Sequence, residues 1–116
     1  MRIDEFIALL DNSPEQVEFE QSMQLIDSHY RFTPTEFRNG DLVNGANENN
    51  GSCKILAFAK MHNLTEAQTL ACFGNYYHDD VLKHPGADNH QNIRNFMQTG
   101  WAGVEFFDAS SVLSSL

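Results

Sequence analysis

Basic residues are few and form no cluster anywhere in the sequence. Seven Lys and Arg stand against 16 Asp and Glu, which gives a formal net charge of −9 over 116 residues. Nucleic acids and anionic membrane surfaces attract proteins through dense positive charge. We therefore expect neither class of partner. Ten of the acids lie between Met1 and Glu48, where we interpret them as a solubilising face.

Long apolar runs are also missing. No apolar stretch approaches the roughly 18 residues that a membrane-spanning helix needs. The first residues carry Asp4 and Glu5 where a secretory signal peptide would be apolar. The sequence therefore predicts no membrane association and a cytoplasmic location, unless a route that needs no signal peptide exports the protein.

Cysteine is scarce, since the chain has only Cys53 and Cys72. Both fall in predicted helices rather than in a spaced disulfide framework, which indicates free thiols in a reducing compartment. Hydrophobic residues make up 41% of the chain and include 9 Phe, a composition typical of a globular protein. A chain of this length can bury a core without disulfides or a structural metal.

Apolar residues recur at helical spacing in five segments. The predicted helices begin near Ile3, at Ser13 with Pro14, after Ser52, at Thr65 and at Asp88. The longest is predicted to run from Thr65 to about Leu82 and, being apolar on most sides, to lie at the centre of the fold. Gly74 within it is expected to let another helix approach closely.

The middle of the chain is ambiguous between strand and helix. Alternation of Tyr30, Phe32 and Val43 would fit a short strand, whereas residues 33–36 imitate a capped helical turn. We favour the turn. The Asn- and Gly-rich stretch at 44–52 is predicted to be the one long loop, and a loop of that length is either functional or mobile.

Together these patterns predict a mainly α fold. We expect a single compact domain of about five helices over residues 1–108, with at most one short β pairing. Residues 109–116 are predicted to be a frayed tail. The oligomeric expectation is a monomer or a weak homo-oligomer.

Cys53 is the first candidate for chemistry. Its thiol would lie in the first turn of a helix, where backbone amides and the helix dipole lower a cysteine pKa. With His78 or His90 as a base, it would give a small cysteine-nucleophile enzyme. The alternative, which we favour, is a small buried side chain that closes the start of the helix.

Acidic and imidazole side chains are dense between His78 and His90. Asp80 and His84 are four residues apart and would share a helix face, so they could bind a metal together with Asp88 and His90. A charged, solvated helix end accounts for the same residues. Because no known metal-binding spacing is present, we predict no cofactor.

A third set of polar residues is a candidate for partner binding. Four of them, Gln68, Cys72, Tyr76 and Asp79, fall in one line at helical spacing along the predicted long helix. The others lie on the last helix and in the Asn-rich loop. The set comprises Asn47, Asn49, Asn50, Gln68, Cys72, Tyr76, Asp79 and Arg94. A hydrogen-bonded polar face without a ligand would explain the same pattern.

Five sequence blocks resemble the HopJ, or HopPmaJ, type III effector family. They are FRNG at 37–40, NGSCK at 50–54, TLACFGNYY at 69–77, DVL at 80–82 and NIRNFMQTGW at 92–101. The resemblance covers about residues 30–106. It implies a small bacterial protein and, for some members, delivery into host cells by a type III secretion apparatus. It implies no reaction, cofactor or catalytic residue.

The sequence therefore favours a non-enzymatic protein-binding module, either in the bacterial cytosol or delivered to a host. A cysteine-nucleophile enzyme built on Cys53 is one alternative. A metal or small-ligand binder near His84 is the other.

Overall fold

The computed structural model describes all 116 residues and shows a single domain in which helices predominate. The α-helices are α1 (Ile3–Asn12), α2 (Phe19–His29), α3 (Asn50–Met61), α4 (Glu66–Ala71) and α5 (Gln91–Thr99). The strands are β1 (Tyr30–Phe32), β2 (Phe37–Asn39), β3 (Leu42–Asn44), β4 (Val104–Phe106) and β5 (Leu113–Ser115). A π-helical segment occupies Tyr76–Val81, and 3-10 turns occupy Pro14–Gln16, Gly100–Gly103 and Ala109–Ser111. With two small sheets the fold is mixed α/β, so the mainly α prediction is correct only in part.

The centre of the core is α3. Cys53 and residues 55–59 are all no more than 8% exposed, and α2 and α4 pack against this helix. Phe58 is completely buried, and its ring contacts Phe6 of α1 and Tyr30 of β1 edge-on. The fold is therefore organised around α3, not around the helix predicted from residue 65 to residue 82.

That predicted helix is interrupted at Gly74. Its start is as predicted, because the Thr65 hydroxyl accepts from the Gln68 amide and the Gln68 side chain accepts from the Thr65 amide. The α-helix ends at Ala71, and Gly74 adopts a φ of +61° before the π-helical segment begins. A Cβ on Gly74 would lie 2.6 Å from the backbone nitrogen of Phe19. The predicted close approach is confirmed, but the prediction of a continuous helix is wrong.

In the N-terminal third, α1 forms as predicted, but the segment that follows it does not. In α1, Phe6 and Leu10 are buried, as their helical spacing indicates. The predicted second helix start at Ser13 is wrong, since only the turn Pro14–Gln16 forms there. Val17 has an extended backbone and is 1% exposed. Burial of this side chain redirects the chain, and α2 begins two residues later.

Residues 33–36 form neither helix nor turn, so the helical turn favoured from the sequence is wrong. The strands on either side of Gly40 and Asp41 form an antiparallel hairpin in which Asn39 is paired with Leu42. Gly40 has a φ of +61°, which this tight turn requires. The strand β4 pairs with the other side of β2, giving the sheet order β3-β2-β4. The predicted long loop is shortened to residues 45–49, because β3 includes residue 44 and α3 includes residues 50–52.

The C-terminal residues pair with the body of the domain. The strand β5 runs antiparallel to β1, and the Leu116 amide donates a hydrogen bond to the His29 carbonyl. Val112 is fully buried and Leu113 is 4% exposed. The prediction of a frayed tail over 109–116 is wrong, because the segment buries two apolar side chains and pairs its backbone with β1.

Candidate functional site

A cleft of about 510 Å³ opens between the N-terminal ends of α3 and α5. Its polar lining comes from Asn49, Gly51 and Ser52 at the start of α3 and from residues 90–92 at the start of α5. Its apolar lining includes the aromatic rings of Phe19, Phe73 and Tyr76. No acidic residue lines the cleft, although the chain carries a net charge of −9. The volume is in the usual range for a ligand-binding site.

The first turns of α3 and α5, which border the cleft, carry backbone N–H groups without a hydrogen-bond partner in the protein. Each is preceded by a residue of left-handed conformation, Asn49 and His90, both with a φ of +53°. Neither side chain caps its helix, and neither first turn contains an acid. The amides of residues 50–52 and 91–92 donate to no group of the protein. The cleft therefore presents N–H donors and the positive ends of two helix dipoles.

Four asparagine side chains hold the two helix starts together. The Asn92 Oδ1 accepts from the Nδ2 of Asn39 at 3.1 Å and from the Nδ2 of Asn44 at 3.2 Å. The Asn44 Oδ1 accepts in turn from Asn92 at 3.0 Å and from Asn49 at 2.7 Å. Asn39, Asn44 and Asn92 are all at most 5% exposed. Hydrogen bonds in such a network are strong because water does not compete for them, so the network ties the two helix starts together, although the buried Asn39 Oδ1 has no partner.

His90 is the only histidine that lines the cleft. Its Nε2 donates to the Oδ2 of Asp80 in the π-helical segment at 3.0 Å. Its ring stacks on that of Tyr76, with centroids 5.0 Å apart, and Tyr76 also packs against Phe19 at 5.0 Å. The carboxylate fixes which imidazole nitrogen carries the proton, and the stacking fixes the plane of the ring.

The comparisons with known proteins identify the family. A family model described as "HopJ type III effector protein" matches residues 3–111. The chain belongs to the HopJ type III effector family. A solved structure titled "Crystal structure of unknown function protein VPA0580" is 51% identical, with a TM-score of 0.95, over 100% of this chain and 95% of that chain. No curated protein matches the sequence.

The resemblance to the HopJ family that was drawn from the sequence is thus confirmed. The family carries the name of an effector, and the similar solved structure has no function in its title. No helix in this HopJ protein has both the length and the apolar character needed to cross a membrane. The site itself must therefore indicate the activity.

Cys53, the predicted nucleophile, points away from the cleft of this HopJ protein. It is 1% exposed, and its thiol donates to the Thr35 carbonyl at 3.7 Å. Burial raises the pKa of the Cys53 thiol to about 11, so the lowered pKa expected at a helix start is wrong. His78, one candidate base, has its Nε2 3.2 Å from the carbonyl oxygen of Pro14.

We expect both thiols to be unreactive in the folded protein. Burial raises the pKa of the Cys72 thiol to about 12, which, like the value for Cys53, leaves at most roughly 0.1% thiolate at pH 8. Ellman's reagent should therefore release almost no chromophore from native protein and two equivalents in denaturant, with glutathione as the control. Rapid reaction of one thiol in native protein, abolished by Cys53→Ala, would contradict the burial described here.

The four predicted metal ligands do not converge. Asp80 and His90 are hydrogen-bonded to each other, whereas His84 and Asp88 are exposed in the loop before α5. No group of three His, Cys, Asp or Glu side chains is placed to hold a metal ion. The helix that would have aligned Asp80 with His84 ends between them at Val81. The structure thus keeps one pair from the predicted set, and of that pair only His90 lines the cleft.

The predicted polar line along the long helix is divided by the break at Gly74. Before the break, the Gln68 side chain donates to Asp11 at 2.6 Å, and Cys72 is 1% exposed. After it, Asp79 pairs with Lys83 at 2.9 Å. Of this line, only Tyr76 lines the cleft.

The other predicted binding residues are divided in a similar way. Asn49 lines the cleft, and Asn50 is the first residue of α3. Asn47 is exposed and has a φ of +72°. Arg94 lies one turn into α5 and lines a second groove next to the cleft.

Proposed function

We propose that this HopJ-family protein is a non-enzymatic binding module that holds a segment of another protein in the cleft between α3 and α5. The observation that carries the proposal is the division of the cleft into a side of unpaired backbone donors and a wall of aromatic rings. A polypeptide segment fits both sides. Its oxygens accept from the amides, and an apolar side chain packs against Phe19 and Tyr76.

The contents of the cleft favour binding over catalysis. The sequence supplied a thiol as the nucleophile, and both thiols are buried. The pair of Asp80 and His90 orients an imidazole, which can equally donate a hydrogen bond to a partner. The asparagine network holds the donors in place before a ligand arrives, so little ordering entropy is lost on binding.

Family membership supports two locations for this binding activity, the bacterial cytosol and, after type III secretion, a host cell. A reporter enzyme fused after Leu116 distinguishes them. Reporter signal in host cells that requires a working secretion apparatus would place the protein in the host. Signal confined to the bacteria would place the binding partner there.

Site-specific photo-crosslinking tests the proposed function. A photoreactive benzoylphenylalanine at Gln91, an exposed cleft residue, should give a discrete protein adduct in bacterial or host cells. The same group at Phe107, which is 84% exposed and outside the cleft, is the control. Combining the Gln91 probe with Tyr76→Ala should weaken the adduct, because the substitution removes part of the aromatic wall.

Two results would contradict the proposal. One is an identical adduct pattern from positions 91 and 107. The other is the absence of any adduct specific to position 91 in both kinds of cell. Thermal melting of each variant checks that the fold is retained.

A further inference from the structure

A second groove, of about 340 Å³, lies beside the cleft between α5 and the loop that precedes it. Gln91 lines both the cleft and this groove, so the two are continuous. Leu82 and Met97 line the groove and are 47% and 44% exposed. Two large apolar side chains left open on one groove next to a binding cleft mark a surface that a partner can cover.

Arg94 lies in the same groove, and its guanidinium group is held by neutral oxygen atoms rather than by a carboxylate. Its Nε and Nη2 donate to the carbonyl and Oδ1 of Asn89 at 2.6 and 2.7 Å, and its Nη1 donates to the Pro85 carbonyl at 3.4 Å. These acceptors are neutral, and Arg94 takes part in none of the five ion pairs of the chain. The bonds use three of the five N–H donors of a guanidinium and leave two for a ligand.

We propose that the groove is the second half of the partner site and that its occupant is an acidic and apolar polypeptide segment. The segment continues from the cleft across Gln91, places an apolar side chain between Leu82 and Met97, and pairs an Asp or Glu carboxylate with Arg94. This inference rests on the proposed function of the cleft, and it adds the chemical class of the partner.

The composition of the groove supports this class of occupant. Arginine and methionine are enriched at protein interfaces, and a preordered guanidinium is a frequent hot spot. Because its side chain is already fixed by Asn89, Arg94 loses little entropy when it binds a carboxylate. The net charge of −9 disfavours a strongly acidic partner at long range. The segment therefore carries one or two carboxylates next to apolar residues rather than an acidic run.

Selection of random peptides displayed on phage, with the full chain as bait, tests this inference. The enriched peptides should share an Asp or Glu next to an aliphatic or aromatic residue. Arg94→Gln should weaken binding of the corresponding synthetic peptide about tenfold or more, since a charge-assisted hydrogen bond contributes about 1.5–3 kcal/mol. Leu82→Ser and Met97→Ser change exposed side chains and should each weaken peptide binding severalfold. Arg31→Gln removes an exposed arginine outside the groove and should leave binding unchanged.

The outcomes separate this inference from the proposed function. If the peptides fail to bind Tyr76→Ala but bind the three groove variants as they bind wild type, the groove inference is wrong and the cleft proposal stands. Peptides that depend on the groove but not on Tyr76 would overturn the cleft proposal alone. Peptides that depend on neither, or no enrichment over a blank support, would overturn both. Enrichment of basic peptides would overturn the assignment of the carboxylate.

Discussion

Replacing Gly74 by alanine should lower the free energy of unfolding by about 3 kcal/mol or more. The residue has a φ of +61°, a conformation that costs a residue with a side chain about 1–3 kcal/mol. The new Cβ would also lie 2.6 Å from the Phe19 nitrogen and 3.1 Å from the Glu18 Cα. Both are backbone atoms at the start of α2, so relief requires moving a helix. Overpacking of this kind adds about 1–3 kcal/mol.

The sign of the effect distinguishes two descriptions of this segment. In an uninterrupted helix, the same change would stabilise the protein by about 1 kcal/mol. Urea denaturation measures the difference, and the melting temperature should fall by about 10 °C. Gly86→Ala is the matched control, because no atom lies within 4 Å of its Cβ position and its φ is ordinary. A stabilised Gly74→Ala protein would show that the break in the helix is not real.

The same glycine shows where prediction from the sequence stops. Helical spacing located α1, the start of α4 and the body of α5, because each has an apolar face or a capping box within a few residues. The local sequence does not distinguish a glycine inside a helix from a glycine that ends one. The backbone of Phe19, fifty-five residues earlier in the chain, decides between them. No local pattern contains that contact.

The sequence predicted at most one short β pairing, and the two sheets were missed for a different reason. Each strand has three residues, too few for an alternating pattern to be distinguished from chance. The Gly40-Asp41 pair is a usable hairpin signal, but Thr33 to Glu36 imitate a helix cap and compete with it. The pairing of β1 with β5 joins Tyr30 to Ser115, which are far apart along the chain, and local patterns do not report such a contact.

The candidate site was predicted in parts but not as a whole. Asn49 and Tyr76 are predicted for partner binding and His90 as a base or metal ligand, and the fold brings all three to one cleft. Asn44 and Asn92 were not singled out, because the sequence does not distinguish a buried asparagine from a solvated one. Their hydrogen bond spans 48 residues of sequence. The only local signal was the density of Asn near both helix starts.

Replacing Leu113 by alanine should lower the free energy of unfolding by about 3 kcal/mol, within the range measured for buried leucines. Leu113 is 4% exposed in β5, opposite Phe32 of β1, and belongs to the hydrophobic core. Leu116→Ala is the matched control, because Leu116 is 72% exposed and its loss should change stability by less than about 0.5 kcal/mol. Both variants are compared by urea denaturation.

A frayed C-terminus would make the two leucine variants indistinguishable from each other and from wild type. A large loss for Leu113 alone requires that β5 is bound to β1 in the folded protein. In that case, unfolding of the C-terminus uncovers the face of α3 that carries Ala57 and Met61, since these residues and Leu113 line one pocket. The stability of the core around α3 then depends on the last few residues of the chain, although they carry the weakest local signal in the sequence.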